Sequence, residues 1–499
     1  MALSAWLACT GGHEPDIEAE RKALIEQLDA VRNPVVRRRS DPRPDVVLVS
    51  LDTVRADAVS AYGGLLPGGA AARATPTLDA LAGSGVRFDF ALAQSPTTLS
   101  SHSAVFTGLD SHGHGVVRNG FVLGNENETL AERFTVAGYT TVGVIGASVL
   151  HEKTGISRGF GTWDSTLSHD RNERHEALAS EVTERALDAV RKANEGKPVF
   201  LFVHYFDAHG PYDAPVPYTK RFCDPLYAGF FDGSRTAMKS AVRASRDRKL
   251  TAADVAQVRC HYLGEVAYVD THVSRLFEGI STELGADTPR VVAVFGDHGE
   301  VLGEEPLNPF GHGGSVDAWA LRVPLLVAGT NVPANVVVPS QARLVDLGTT
   351  LLALSGVRGS LGMGVDLANA WSHPATSGDF VTQDAAAPSV PGQPSSPISF
   401  AEASQPDDDA AKVGWPNLPF ARVAYRDGFA CQRFPLSYPG VLTYRVHGNV
   451  QEPVLDPAAA KLCDALAEWD RRLPTAAEQG HDAATTEALE VLGYSEPHD

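Results

Sequence analysis

The feature that most constrains this chain is a set of continuous apolar runs, each stopped by polar or glycine-containing sequence. Val46-Val47-Leu48-Val49-Ser50-Leu51 is closed by Asp52, and similar runs recur at 141–145, 199–204, 291–295 and 324–328. A strand that is apolar at nearly every position, rather than at alternate ones, is buried on both faces, which calls for helices on both sides of a parallel sheet. Helical patterns do fall between the runs. Residues 176–193 place Leu178, Val182, Ala186, Leu187 and Val190 on one side, with Gly196 beyond as a stop. A second helix opens at Thr251 with Asp254 three residues on, and carries Val255, Val258, Tyr262, Val266, Val269, Val273 and Leu276. The alternation predicts an α/β fold with a doubly wound, mostly parallel sheet.

The flanks read differently. Residues 17–45 have the pattern of a charged helical lead-in ended by Pro34, Pro42 and Pro44. The stretch 372–397 is rich in Pro, Ala and Ser without a period and reads as a loop. Beyond it, strand-like composition at 422–429 and 441–446 and a short helical pattern at 486–492 predict a small α+β unit over 398–499, packed on the main sheet.

With 42 basic and 61 acidic side chains, the net charge of −19 repels phosphate backbones, and no basic run beyond Arg37-Arg38-Arg39 offsets it. Nucleic acid is therefore not an expected partner. No stretch reaches the roughly 18–20 apolar residues of a membrane span. The first ten residues, MALSAWLACT, followed by GGHEPD, resemble the end of a bacterial lipoprotein signal within 1–16, with Cys9 as lipid acceptor; the plain alternative is an ordinary terminus. The lipid-anchor reading implies an extracytoplasmic location, periplasmic or membrane-anchored. Cys223, Cys260, Cys431 and Cys463 lack metal-site spacing and permit two bridges there, Cys223–Cys260 and Cys431–Cys463, each within one local segment.

In an open parallel sheet, ligands bind beyond the carboxyl ends of the strands, so polar residues directly after the apolar runs are the first candidates. Asp52 follows the first run and Asp297-His298 follows 291–295, within the Gly-flanked FGDHGE. Two carboxylates and an imidazole at one edge are the ligand types of a hard or borderline divalent cation. Between them in sequence, Pro96-Thr97-Thr98-Leu99-Ser100-Ser101-His102 opens a short helix closed by Gly108. Its hydroxyls fit simple helix capping, or, beside a cation, an anion site with a nucleophile.

The ordered series of motifs resembles the sulfatase family of the alkaline phosphatase superfamily, in its bacterial branch with threonine at the nucleophile position. It comprises DVVLVSLDTVRADAVSAYG (45–63), SPTTLSSHSAVFTGL (95–109), HGVVRNG (114–120), GYTTVGVIGASVL (138–150), FLFVHYFDAHGPYDAP (200–215), FGDHGEVLGE (295–304) and GHGGSVDAWALRVPLLV (311–327). The resemblance implies a sulfatase-like catalytic domain over 46–371 with an alkaline phosphatase-like fold. It implies Asp52, Asp297 and His298 as metal ligands, joined by Thr98 in the place of the nucleophile. It further implies His209 and His312 at the transferred or leaving group, His102 beside the nucleophile, Asn119 on a nonbridging oxygen, and Ser148 as a weak stand-in for a missing Lys-x-His pair.

Two departures matter. Thr98 replaces the Cys or Ser that classical sulfatases convert to formylglycine, so that aldehyde cannot form. Thr53 replaces the second Asp of the family's Asp-Asp pair, which leaves the cation open among calcium, manganese and zinc. The implied function is metal-dependent hydrolysis of sulfate or phosphate esters, on a small molecule, glycan or lipid, through Thr98. A phospho-group transferase and an inactive binding protein are the alternatives. His204 is expected to be a core histidine. His112 and His114 are expected to be solvated turn residues, Asp407-Asp408-Asp409 a solvated loop, and Arg55, Asp57, Asp79 and Asp270 structural.

Overall fold

A computed structural model describes residues 41–63, 74–167, 176–193, 196–305, 310–371, 396–405, 418–435 and 438–472. Strand β1 (Asp45–Leu51) lies at the centre of the main sheet. Around it stand β2 (Gly85–Leu92), β3 (Thr140–Val144), β4 (Thr162–Asp164), β5 (Val199–Tyr205) and β6 (Arg290–Gly296). Val301–Leu302 (β7) and Phe310–Gly311 (β8) form a separate two-stranded ribbon, and the main sheet is completed by β9 (Arg322–Val323), β10 (Leu325–Gly329) and β11 (Val336–Arg343). The order is β11-β2-β10-β6-β1-β5-β3-β4, with β9 pairing β2. β1 runs parallel to both β5 and β6, whereas β10 is antiparallel to β6 and β2.

The sequence pattern explains the layering. Along β1, Val46 and Leu48 enter one apolar cluster while Val47, Val49 and Leu51 enter another, so the strand is buried on both faces. The second face is covered by the helices Ala179–Ala193 and Ala252–Leu284, the latter opened by the expected Thr251/Asp254 capping box. The first is covered by helices such as Thr98–Thr107 and Val345–Leu354. Strands β2 and β11 went unread in the sequence because each mixes polar with apolar side chains, as Arg87, Asp89, Ser340 and Gln341 show.

A second, antiparallel sheet follows: β12 (Ser399–Gln405), β13 (Leu418–Arg426), β14 (Phe429–Phe434), β15 (Tyr438–His447) and β16 (Val450–Pro453), backed by the helix Pro457–Trp469. The run expected as one strand over 422–429 is instead a hairpin. Asp427 and Gly428 both adopt positive φ, the conformation of a two-residue turn that keeps the strand twist. Both disulfides form as expected, Cys223–Cys260 with Cα atoms 5.0 Å apart and Cys431–Cys463 with 5.3 Å. Residues 1–40, most of 372–397, the acidic run 407–409 and the expected helix 486–492 lie outside the described residues. Among the described residues no helix is long and apolar enough to cross a membrane.

Candidate active site

The parallel register of β1 and β6 pairs Leu51 with Gly296, so the next residues, Asp52 and Asp297, leave the sheet abreast. Local backbone geometry then fixes their side chains. Thr53 turns the chain at φ 56°, a costly conformation for a β-branched residue, and its N–H donates to Asp297 Oδ1 over 3.0 Å. The His298 N–H donates to the same oxygen over 2.8 Å. Asp297 Oδ2 and Asp52 Oδ1 are left buried without a hydrogen-bond partner. Gly296 and Gly299 permit this packing, because a Cβ would meet Val54 O at 2.3 Å or Trp319 O at 2.0 Å.

Thr98 opens the helix Thr98–Thr107, but its hydroxyl does not cap it. Oγ1 lies 3.2 Å from Asp52 Oδ2, to which it donates, and 3.3 Å from His298 Nε2. His298 Nδ1–H donates to the Gly299 carbonyl, leaving the Nε2 lone pair on the Thr98 side. Ser101 Oγ ties the same helical turn to the Asp297 carbonyl over 2.6 Å. One ligand atom each from Asp52, Asp297 and His298 lies within 4.8 Å of the others. Ligand atoms bound at about 2.0–2.6 Å around one ion fall within such a spacing.

Charge makes this layer hungry for a cation. Burial pushes the Asp52 carboxyl well above its ordinary range, and burial together with the Asp52 charge pushes Asp297 up to about 7. Burial pulls His298 down to about 4, so its ring is neutral near pH 7. Two unpartnered carboxylate oxygens, a neutral imidazole and a hydroxyl suit one divalent cation.

The remaining candidates arrange themselves around this centre. His312 donates from Nδ1 to Pro96 O, its ring lies 4.5 Å from that of His298, and its Nε2 is 3.0 Å from Nε2 of His209. Nδ1 of His209 likewise donates to the Gly210 carbonyl, so two neutral rings would set one Nε2 lone pair against the other, and the 3.0 Å contact is a hydrogen bond when the pair carries one added proton. Asn119 Oδ1 accepts from Leu99 N over 2.8 Å at the start of the Thr98 helix, and its Nδ2 is buried without an acceptor. Ser148 begins a short turn, Ser148–Leu150, packed near that helix, and its buried Oγ has no partner. His102 is placed differently from the others. Its Nδ1–H donates to Thr98 O and its Nε2 accepts from Ser50, so both ring nitrogens are used behind Thr98.

Two histidines depart from their expected surroundings. His112 and His114 are buried, not solvated: the His112 ring stacks on Trp469 at 3.7 Å, and His114 Nδ1 accepts from Val116 N. For His112 the cause is the helix Pro457–Trp469, which a local reading of 111–114 could not place. His204 is buried as expected, yet its Nε2 reaches Asp52 Oδ2 at 3.1 Å, a site contact that sequence reasoning missed. The structural reading of the others is matched by contacts. Arg55 pairs with Asp57, Thr75 bonds Asp79, and Asp270 caps the helix Pro76–Ser84 through Thr77 N and Leu78 N.

Comparisons with known proteins place the chain in a family. The sequence model of the sulfatase family, described as Sulfatase, matches residues 44–357. An uncharacterised sulfatase of Escherichia coli strain K12, YidJ, is 23% identical over 355 residues, covering 63% of this chain and 68% of that protein. An arylsulfatase of Clostridium perfringens is 22% identical over 365 residues, covering 61% and 72%. Among solved structures, a phosphonate monoester hydrolase from Silicibacter pomeroyi superposes with a TM-score of 0.61 at 20% identity, covering 87% of this chain and 96% of that one. The match spans more than half of the chain and contains every candidate ligand, so the protein belongs to the sulfatase family of ester hydrolases.

Proposed function

We propose that this protein hydrolyses phosphate or sulfate esters, with a preference for phosphoryl groups, through a Thr98 nucleophile that is never converted to formylglycine. The observation that carries the reading is the position of Thr98 Oγ1, 3.2 Å from Asp52 Oδ2 and 3.3 Å from His298 Nε2 at a helix N-terminus. Asp52, Asp297 and His298, with Thr98, are the residues that would hold a divalent cation. When bound, that cation supplies Lewis-acid polarisation of the ester oxygens and lowers the pKa of a nearby hydroxyl.

The chain's own groups account for the rest of the chemistry. Asp52 Oδ2 accepts the hydroxyl hydrogen bond that orients Thr98 for in-line attack. Asn119, fixed through its carbonyl by Leu99 N, keeps an unpartnered N–H that can serve charge developing on a nonbridging oxygen. When the His209–His312 pair carries one added proton between its Nε2 atoms, it is suited to hand that proton to the departing oxygen. A threonine ester has no internal elimination route and must be opened by water, which supports phosphoryl over sulfuryl transfer.

The phosphonate monoester hydrolase and arylsulfatase relatives frame the substrate choice. Two disulfides support an oxidising, extracytoplasmic compartment, with Cys9 as the proposed lipid anchor. The deciding experiment compares turnover of aryl phosphate, phosphodiester, phosphonate monoester and aryl sulfate by metal-reconstituted protein, with Thr98→Ala and Thr98→Ser alongside. The reading predicts that a phosphoryl ester is fastest, that Thr98→Ala is inactive and that Thr98→Ser keeps a fraction of the activity. Sulfate outrunning every phosphoryl ester, or full activity in Thr98→Ala, would refute it.

A further inference from the structure

We propose that His204 is a positioning residue of the cation site: its Nε2–H, donated to Asp52 Oδ2, locks the carboxylate in the pose that leaves Oδ1 open for a divalent cation. This rests on reading Asp52 as a ligand of that cation.

The proton can be placed from the geometry. As the carboxylate that a cation requires, Asp52 only accepts at Oδ2, so in that state the 3.1 Å contact puts the proton on His204 Nε2, and His204 Nδ1 has no hydrogen-bond partner. Oδ2 thus receives two hydrogen bonds, from His204 and from Thr98, while Oδ1 receives none. The ring itself has little freedom. It is fully buried in β5, whose register sets it beside Ser50 of β1, and it meets the His102 ring edge-to-face at 5.1 Å. A neutral ring donor orients a carboxylate without cancelling its charge, whereas a lysine or arginine there would occupy the cation's role. Outer partners of this kind hold metal-binding groups in place.

A competing assignment is a second cation, because His102, His204 and Asp297 also bring one ligand atom each within 4.8 Å of the others. His102 argues against it. Its Nδ1–H is committed to Thr98 O at 2.7 Å and its Nε2 to Ser50 Oγ at 2.8 Å, so only two of the three groups have a lone pair to offer.

The test is competition of Mn²⁺ against a chromogenic chelator on the full chain, for the parent, Asp52→Asn, His204→Phe and His204→Gln, with the unfolding midpoint of each metal-free protein. His204→Phe keeps the bulk and removes the donor; His204→Gln restores an N–H near the same place. The expected result is a loss of affinity of roughly 10- to 100-fold in His204→Phe, with most of it recovered in His204→Gln. Should His204→Phe fail to fold, His204→Asn, whose amide is too short to reach Asp52, is expected to lose affinity in the same way. Parent-like affinity in the donor-less variant overturns the role of His204 alone. Two Mn²⁺ per parent chain, falling to one in both His204→Phe and His204→Gln, would make His204 a ligand instead. Unchanged affinity in Asp52→Asn overturns the ligand reading on which the proposal rests.

Discussion

Two regions of the molecule bury charge, and they do so in opposite ways. Behind the Thr98 helix, where the C-terminal unit meets the main domain, three carboxylates are each answered. Glu402 meets Arg422, Ser404 and His112; Asp470 meets Arg422 and Arg433; Asp110 accepts from Gly113 N and Trp469 Nε1. At the edge of β1 and β6, Asp52 and Asp297 are fully buried, have no lysine or arginine of the described residues against them, and each keeps one oxygen unpartnered. Buried charge that is paired within the chain holds parts together. Buried charge left open, in a chain that folds nonetheless, marks a place where something else binds.

The largest expected effect separates the two regions by chemistry. Thr98→Ala should lower turnover by a factor on the order of 10³ or more, by removing the covalent route, while metal binding survives. Asn119→Ala should follow, with a loss of about 10²-fold in kcat for one missing donor to the developing oxyanion, read from saturation kinetics at full metal occupancy.

The next contrast is in pH. Without a cation, Asp297 keeps its proton in the folded state up to about 7, whereas an unfolded chain releases it near 3.9. Its folded pKa is raised, so its contribution to the metal-free protein is fully present below about pH 4 and is lost as pH rises through about 7. A cation replaces that proton. The rise in unfolding midpoint on adding Mn²⁺ should therefore be larger at pH 8 than at pH 5. An equal rise at both pH values would take Asp297 out of the ligand set.

The smallest effect on activity is expected at the paired region. Glu402→Gln should cost about 3 kcal/mol of stability, by leaving Arg422 and His112 short of an acceptor, yet leave kcat of the folded protein within a few-fold. Chemical denaturation and kinetics on the same sample check both halves. A collapse of kcat without loss of stability would erase the distinction between the regions.

How much of this was legible in the sequence depends on the range of each interaction. Asp52, Asp297 and His298 were legible because a doubly buried parallel strand must end in solvent or at a site, and their apolar runs mark those ends. The Thr251 helix start was legible because a capping box is local. His204 was not, since a polar residue inside an apolar run says nothing about its neighbour until the β1–β5 register sets it beside Ser50. His112 was illegible for the same reason at longer range, because its burial depends on Trp469 in the C-terminal helix. The 427–428 hairpin did carry a local Asp-Gly signal, masked by the strand-like composition on both sides.

The central claim is that the open carboxylates of β1 and β6 are completed by one divalent cation that serves Thr98. Mn²⁺ binding by the parent, Thr98→Ala and Asp297→Asn, measured as affinity and as ions per chain, tests it most directly. One ion is expected in the parent, one in Thr98→Ala with turnover gone, and none in Asp297→Asn. Parent-like binding in Asp297→Asn, or a parent that binds no divalent cation at all, would contradict it.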